Sequence, residues 1–130
     1  MGDHCHMDHV IDLDEVVAEV AARRSAWQTA GIVVDSVTWR DSATPWPQRL
    51  ETDRATVSDP DSVGFHLHSS HKHGAELRLV VFRGGWVDAD FIADIDDAGV
   101  ISTPAISSAE AFGTLIDTCV ARVFSLQDPT

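Results

Sequence analysis

From Val63 to Ile95 the chain changes character at nearly every second residue, and this alternation constrains it more than any other feature. Successive side chains of a strand point to opposite faces, so a period of two selects a sheet with one apolar and one polar side. Val63, Phe65 and Leu67 share one side, with Gly64, His66 and His68 on the other. After a loop over 69–75, Leu77, Leu79 and Val81 repeat the pattern. After Arg83, Gly84 and Gly85, a third run over 86–95 follows. It sets Val87, Ala89, Phe91, Ala93 and Ile95 on one side and Trp86, Asp88, Asp90, Ile92 and Asp94 on the other. A turn over 96–99 leads to a return over 100–103. Runs of this kind joined by short turns make an antiparallel meander.

The faces also select the register of the central hairpin. A three-residue loop, Arg83 to Gly85 with Gly85 left-handed, sets Val81 opposite Val87, Leu79 opposite Ala89, Leu77 opposite Phe91 and Arg78 opposite Asp90. Phe82 then lies beside Trp86. A two-residue loop would set Asp90 against Leu79 and mix the faces, so the longer loop is expected.

Helical patterns flank the meander. Asp12 and Glu15 read as a capping pair. Leu13, Val16, Val17, Val20, Ala21, Arg24 and Trp27 follow at helical spacing, with Gly31 as terminator, which predicts a helix over 13–29. A capping box over 107–110 opens a second stripe, Phe112, Leu115, Ile116, Cys119, Val120 and Val123, which predicts a helix to about Phe124. The β-branched run 32–39 reads as a strand, 40–48 as an extended loop, 49–57 as a short edge strand and 58–62 as a turn. Two apolar helix stripes need one apolar sheet face. The expected fold is therefore α+β, a two-layer sandwich with both helices on one face of an antiparallel meander. The other face stays open.

At 130 residues and 44% apolar content, one domain is expected, with a core over 10–126 and the first nine residues disordered. No apolar run approaches the roughly 20 residues of a membrane span. Nine Lys and Arg against 21 Asp and Glu give a net charge of −12. That balance opposes nucleic-acid binding, because phosphate repels carboxylate, and suits a basic protein partner. Two cysteines, Cys5 and Cys119, make no disulfide framework, and the start lacks a secretory signal, so a cytoplasmic location is expected. Met7 is an alternative natural start, which would make the cluster of His4, Cys5 and His6 meaningless.

The open face carries the candidate sites. Trp86, Asp88, Asp90 and Asp94, with Phe82 and His66, combine aromatic anchors with a row of acids. This composition is common at interfaces and would steer a basic partner. The same acids also serve to block edge pairing and keep a small domain soluble. A loop carrying Trp39 and Trp46 is an alternative cover for Trp86. His66 and His68 fall on one strand face about 7 Å apart. With His71 or His73 they could make a zinc or nickel site, a second reading of the chain as a metal-binding protein; a weak or adventitious ion is the lesser form of the same reading. No resident cofactor is expected. A small-ligand pocket between sheet and helices is a third reading. The acids of 88–97 splay along a strand and do not form a calcium loop. There is no phosphate-binding Gly-rich loop or nucleophile elbow, and Cys119 falls on an apolar stripe, so no catalytic residues are assigned.

In the stretch 77–103 a strand ends at Phe82, Arg83, Gly84 and Gly85, and Trp86 opens an alternating acidic strand followed by the Gly99 turn. With the capped final helix, this resembles the centre of small bacterial immunity proteins, and is most similar to the TriTu-type immunity family of polymorphic toxin systems. The resemblance covers about residues 60–124, and the His66–His73 segment and the Pro45–Pro47 loop stand outside it. It implies a cytoplasmic antitoxin that binds and occludes a cognate toxin, without catalytic residues.

Overall fold

In the computed structural model, which describes residues 10–45, 47–70 and 74–125, an antiparallel six-stranded sheet carries a helix from each end of the chain. The order is α1 (Leu13–Thr29), β1 (Ile32–Val34), β2 (Thr38–Asp41), a 3₁₀ turn (Arg54–Thr56), β3 (Pro60–Ser69), β4 (Glu76–Phe82), β5 (Val87–Asp94), β6 (Asp97–Ile101) and α2 (Ala109–Phe124). Strands β3 to β6 follow one another across the sheet, and β1 and β2 share the outer edge of β3. Helix α1 packs on β1 and β3, α2 on β4 and β5, and the helices on each other. This is the expected α+β sandwich with one sheet face covered.

The central hairpin has the expected register, with Val81 opposite Val87, Leu79 opposite Ala89, Leu77 opposite Phe91 and Arg78 opposite Asp90. Gly85 takes φ 97°, and a Cβ there would stand 2.5 Å from the Ile106 carbonyl oxygen. Both the dihedral and the contact exclude a side chain, so Gly85→Ala is expected to destabilise the fold by about 2 kcal/mol. An unchanged urea midpoint would show that the loop has another conformation.

Asp12 caps α1, its Oδ1 accepting from the Asp14 and Glu15 amides at 2.9 and 3.4 Å. Leu13, Val16, Val20 and Trp27 are buried, but Ala21 and Arg24 of the predicted stripe are exposed. At that turn Arg23 faces α2, donating Nε and Nη2 to Asp117 at 2.7 and 3.1 Å and Nη1 to Glu19 at 2.8 Å. The helices approach closely there, since a Cβ on Gly113 would stand 2.5 Å from Glu19 Oε1. Ser108, one residue later than the predicted box, caps α2 by accepting from the Ala111 amide at 3.0 Å. Its buried stripe includes Phe112, Ile116, Cys119, Val120 and Val123, and the Phe112 ring stacks on Phe65 of β3 with centroids 5.7 Å apart.

The edges depart from expectation. The run 32–39 is not one strand. Four steps from Val34 to Thr38 span only three from Leu67 back to Gly64, so a bulge at 35–37 separates β1 from β2. The segment 49–57 is not an edge strand: Glu51 makes a single bridge to Trp39 before the 3₁₀ turn. The region read as a turn over 58–62 already enters β3 at Pro60. The last turn lies at Ile95 and Asp96, earlier than the predicted 96–99, because Asp94 pairs with Asp97 after a register shift. Ile95, expected to face the core, is therefore 93% exposed.

Candidate functional site: the open sheet face

Directly opposed residues of a ladder point the same way, so the strand pairings define rows across the uncovered face. One row runs Val33, His68, Glu76, Ile92 and Ala98. The next holds His66, Arg78, Asp90 and Val100, extended by Asp35, whose amide donates to the His66 carbonyl at 2.9 Å. A third runs Thr38, Gly64, Val80 and Asp88. A fourth holds Arg40, Ser62 and Phe82, and the Phe82 amide donates to the Trp86 carbonyl at 3.0 Å.

Phe82 and Trp86 stack at a centroid separation of 5.3 Å. The indole also lies across the hairpin loop, where a Cβ on Gly84 would come 2.3 Å from its Cζ3. Trp86 is thus held flat yet stays 45% exposed. Asp88, Asp90 and Asp94 are exposed along the strand that it opens, Asp88 nearest to it and Asp94 at the far end. Arg78 stands opposite Asp90, but its guanidinium turns to Glu76 at 3.5 Å, and no described residue forms an ion pair with Asp88 or Asp90.

Trp39 does not cover this patch. Trp39 pairs with Val63 and so points to the core, where it is 3% exposed with Arg54 stacked 5.1 Å from its ring centre. Trp46 lies outside the described residues.

A buried polar relay holds the hairpin that presents the aromatics. Asp41, nearly fully buried, accepts from the Ala43 and Asp59 amides through Oδ1 at 2.9 and 3.0 Å and from the Ser58 amide through Oδ2 at 2.9 Å. These donors, the Ser58 amide foremost, hold its carboxyl below the usual carboxylate range, against the opposing effect of burial. Asp59 in turn accepts from Nη1 of buried Arg83 at 2.8 Å, and the Arg83 amide donates to the Asp61 carbonyl at 3.1 Å.

Of the residues expected at a partner surface, Phe82, Trp86, Asp88, Asp90 and Asp94 come together along one hairpin. His66 shares the face but sits on β3, two strands away, about 10 Å from the β5 acids by strand spacing. Its neighbours are Asp35, with Oδ2 2.6 Å from Nδ1, and Glu76, with Oε1 3.4 Å from Nε2. His68 stacks at a tilt with centroids 5.8 Å apart and directs Nδ1 to Asp35 Oδ2 at 3.6 Å. One donor atom from each of Asp35, His66 and His68 lies within 4.8 Å of the others. Sequence reasoning missed Asp35, whose one local signal is a lone acid in a β-branched run. The expected ligands His71 and His73 lie outside the described residues.

Cys119 is buried in the helical stripe and burial pushes its thiol pKa up, as suits an inert core cysteine. A surface hollow of about 300 Å³ opens at the start of α1, lined by Asp12, Asp14, Arg54 and Arg83 among others, away from the space between sheet and helices that the small-ligand reading uses. Among the described residues no helix is long and apolar enough to cross a membrane. Comparison with protein-family models, curated proteins and solved structures finds no match to the chain.

Proposed function

We propose that this chain is a non-enzymatic binding protein whose open sheet face docks a basic protein, acting as a cytoplasmic immunity-type inhibitor that occludes a toxin. The observation that carries this reading is the exposed Trp86, immobilised by stacking on half-buried Phe82, at the head of a strand carrying Asp88, Asp90 and Asp94, of which Asp88 and Asp90 have no ion-pair partner among the described residues. Solubility alone accounts for the acids, but it gives no reason to fix a large aromatic in water among them. An aromatic anchor with a charged surround is the composition of a binding hot spot and its rim. Holding the indole flat before binding lowers the entropy lost on association. The chain's −12 charge adds long-range attraction for a basic partner and speeds encounter.

The test uses the polypeptide encoded beside this chain's own gene as the partner. Co-expression is expected to protect cells from it, and the purified pair to bind one to one with an affinity that falls as salt rises. Asp88→Lys with Asp90→Lys should weaken binding by about tenfold or more and flatten the salt dependence. Trp86→Ala should weaken it by about tenfold or more and leave the salt slope in place. Absence of a complex, or a complex indifferent to all three substitutions, overturns the reading.

A further inference from the structure

We propose that Asp35, His66 and His68 bind one divalent transition-metal ion of the imidazole-favouring class, with Glu76 orienting His66. This site stands apart from the docking surface and does not rest on it.

Ligand atoms of three side chains converge at one place on the open face, Asp35 Oδ2, His66 Nδ1 and one His68 ring nitrogen, all within 4.8 Å of one another. A neutral imidazole has one N–H and one lone pair. His66 has a carboxylate at each nitrogen, Asp35 at Nδ1 and Glu76 at Nε2. If Nδ1–H donates to Asp35 across 2.6 Å, the Nε2 lone pair faces an anion. Nε2 is shielded from water and makes no hydrogen bond, since Glu76 stands at 3.4 Å outside bonding geometry. A metal ion on Nδ1 answers this arrangement, and His68 Nδ1, 3.6 Å from the same Asp35 oxygen, supplies a further ligand atom beside it. The lone pair then sits on Nδ1, the proton on Nε2, and Nε2–H donates to Glu76. This is the carboxylate–imidazole–metal arrangement by which proteins fix a ligating histidine.

An ion is seated if Asp35 withdraws from His66 and the two imidazoles, whose ligand atoms lie within 4.8 Å of each other, close on it by about an ångström. Ligands bonded about 2.0–2.2 Å from a tetrahedral ion stand roughly 3.3–3.5 Å apart. The Asp35 Oδ2 contacts, 2.6 Å to His66 Nδ1 and 3.6 Å to His68 Nδ1, bracket that value. The backbones are already placed, because the period of β3 puts both histidines on one face and the Asp35 amide bonds the His66 carbonyl. The side chains of Asp35 and His68, 45% and 40% exposed, are free to adjust. Two imidazoles and one carboxylate favour zinc, nickel or copper over calcium or magnesium, and three protein ligands leave a position for water.

The test is Zn²⁺ and Co²⁺ titration of the untagged full chain in which His4, Cys5, His6, His9, His71 and His73 are replaced by alanine. One Zn²⁺ per chain is expected, read by competition with a chromogenic chelator, and Co²⁺ should give the intense visible absorption of a tetrahedral site. His68→Ala and Asp35→Ala should each weaken Zn²⁺ by about tenfold or more, and His66→Gln should abolish the Co²⁺ spectrum. Glu76→Gln should weaken binding and retain the spectrum. Circular dichroism establishes that each variant is folded. The proposal is overturned if the parent of this series leaves Co²⁺ with the pale spectrum of the hydrated ion. It is overturned equally if Zn²⁺ binds with an affinity untouched by the His66 and His68 substitutions. Loss of protection from the partner with metal binding intact would remove the docking reading alone.

Discussion

Phe112→Ala is expected to destabilise the fold by about 3–5 kcal/mol, the range for a large aromatic removed from a close-packed core. Phe112 is fully buried, and its ring stacks on Phe65 at the plane where α2 meets the sheet. Alanine there loses the transfer energy of the ring and leaves a void that β3 and α2 cannot both close. Urea unfolding should show a lower midpoint at an unchanged slope. Leu115→Ala, on the same helix but only half-buried, should cost about 1–2 kcal/mol because less area leaves water. The contrast bears on function as well as stability. Helix α2 covers one side of β4 and β5, and that cover makes the side carrying Asp88 and Asp90 the open one. Equal effects at the two positions would mean that α2 is not seated by this face, and the assignment of inner and outer sheet faces would fall with it.

The middle of the sheet was legible because two independent signals agree there. Alternation sorts the faces of β4 and β5, and the loop ending in Gly85 admits one register that keeps them sorted. At the edges only one signal operates. Strand β1 has a partner on one side alone, so a bulge at 35–37 interrupts one ladder, and nothing in the alternation of Ile32 to Trp39 marks it. The 49–57 segment has strand-like residues, but its conformation follows from hydrogen bonds to distant groups: Glu51 to Trp39, and Arg54, which donates to Asp14 of α1 at 2.8 Å. The acidic and aromatic patch could be read because all of it lies on one hairpin. The Asp35 corner of the histidine cluster could not, since its partner His66 is 31 residues away. Arg83 was equally hidden: it reads as a loop charge, yet it is 2% exposed beneath Asp59 and the Pro60 carbonyl.

Asp41→Ala is expected to cost about 2–4 kcal/mol, because it leaves three part-buried amides of one loop without their acceptor and each such loss costs about 1 kcal/mol. The Ala43, Ser58 and Asp59 amides all converge on this one carboxylate, which is 4% exposed. The loss should travel beyond the loop. Asp59 holds the Arg83 guanidinium, and Arg83 anchors the hairpin loop on which Trp86 rests. Near-ultraviolet circular dichroism of Asp41→Ala should therefore change in the tryptophan region even where the chain stays folded. Acidity provides a second reading of the same group. Its folded pKa lies below the unfolded one, so the ionised carboxylate stabilises the fold above the ordinary carboxylate range. That contribution is lost as pH falls through the depressed folded value. Asp41→Asn cannot ionise and presents an amide N–H₂ to one of the three donors, so at neutral pH it should be less stable than the parent by about 1–3 kcal/mol. The gap should narrow as acid protonates the parent carboxylate. A gap that stays constant from neutral pH to strong acid would mean that Asp41 acts by shape alone, and the relay from Asp41 through Asp59 to Arg83 would lose its electrostatic basis.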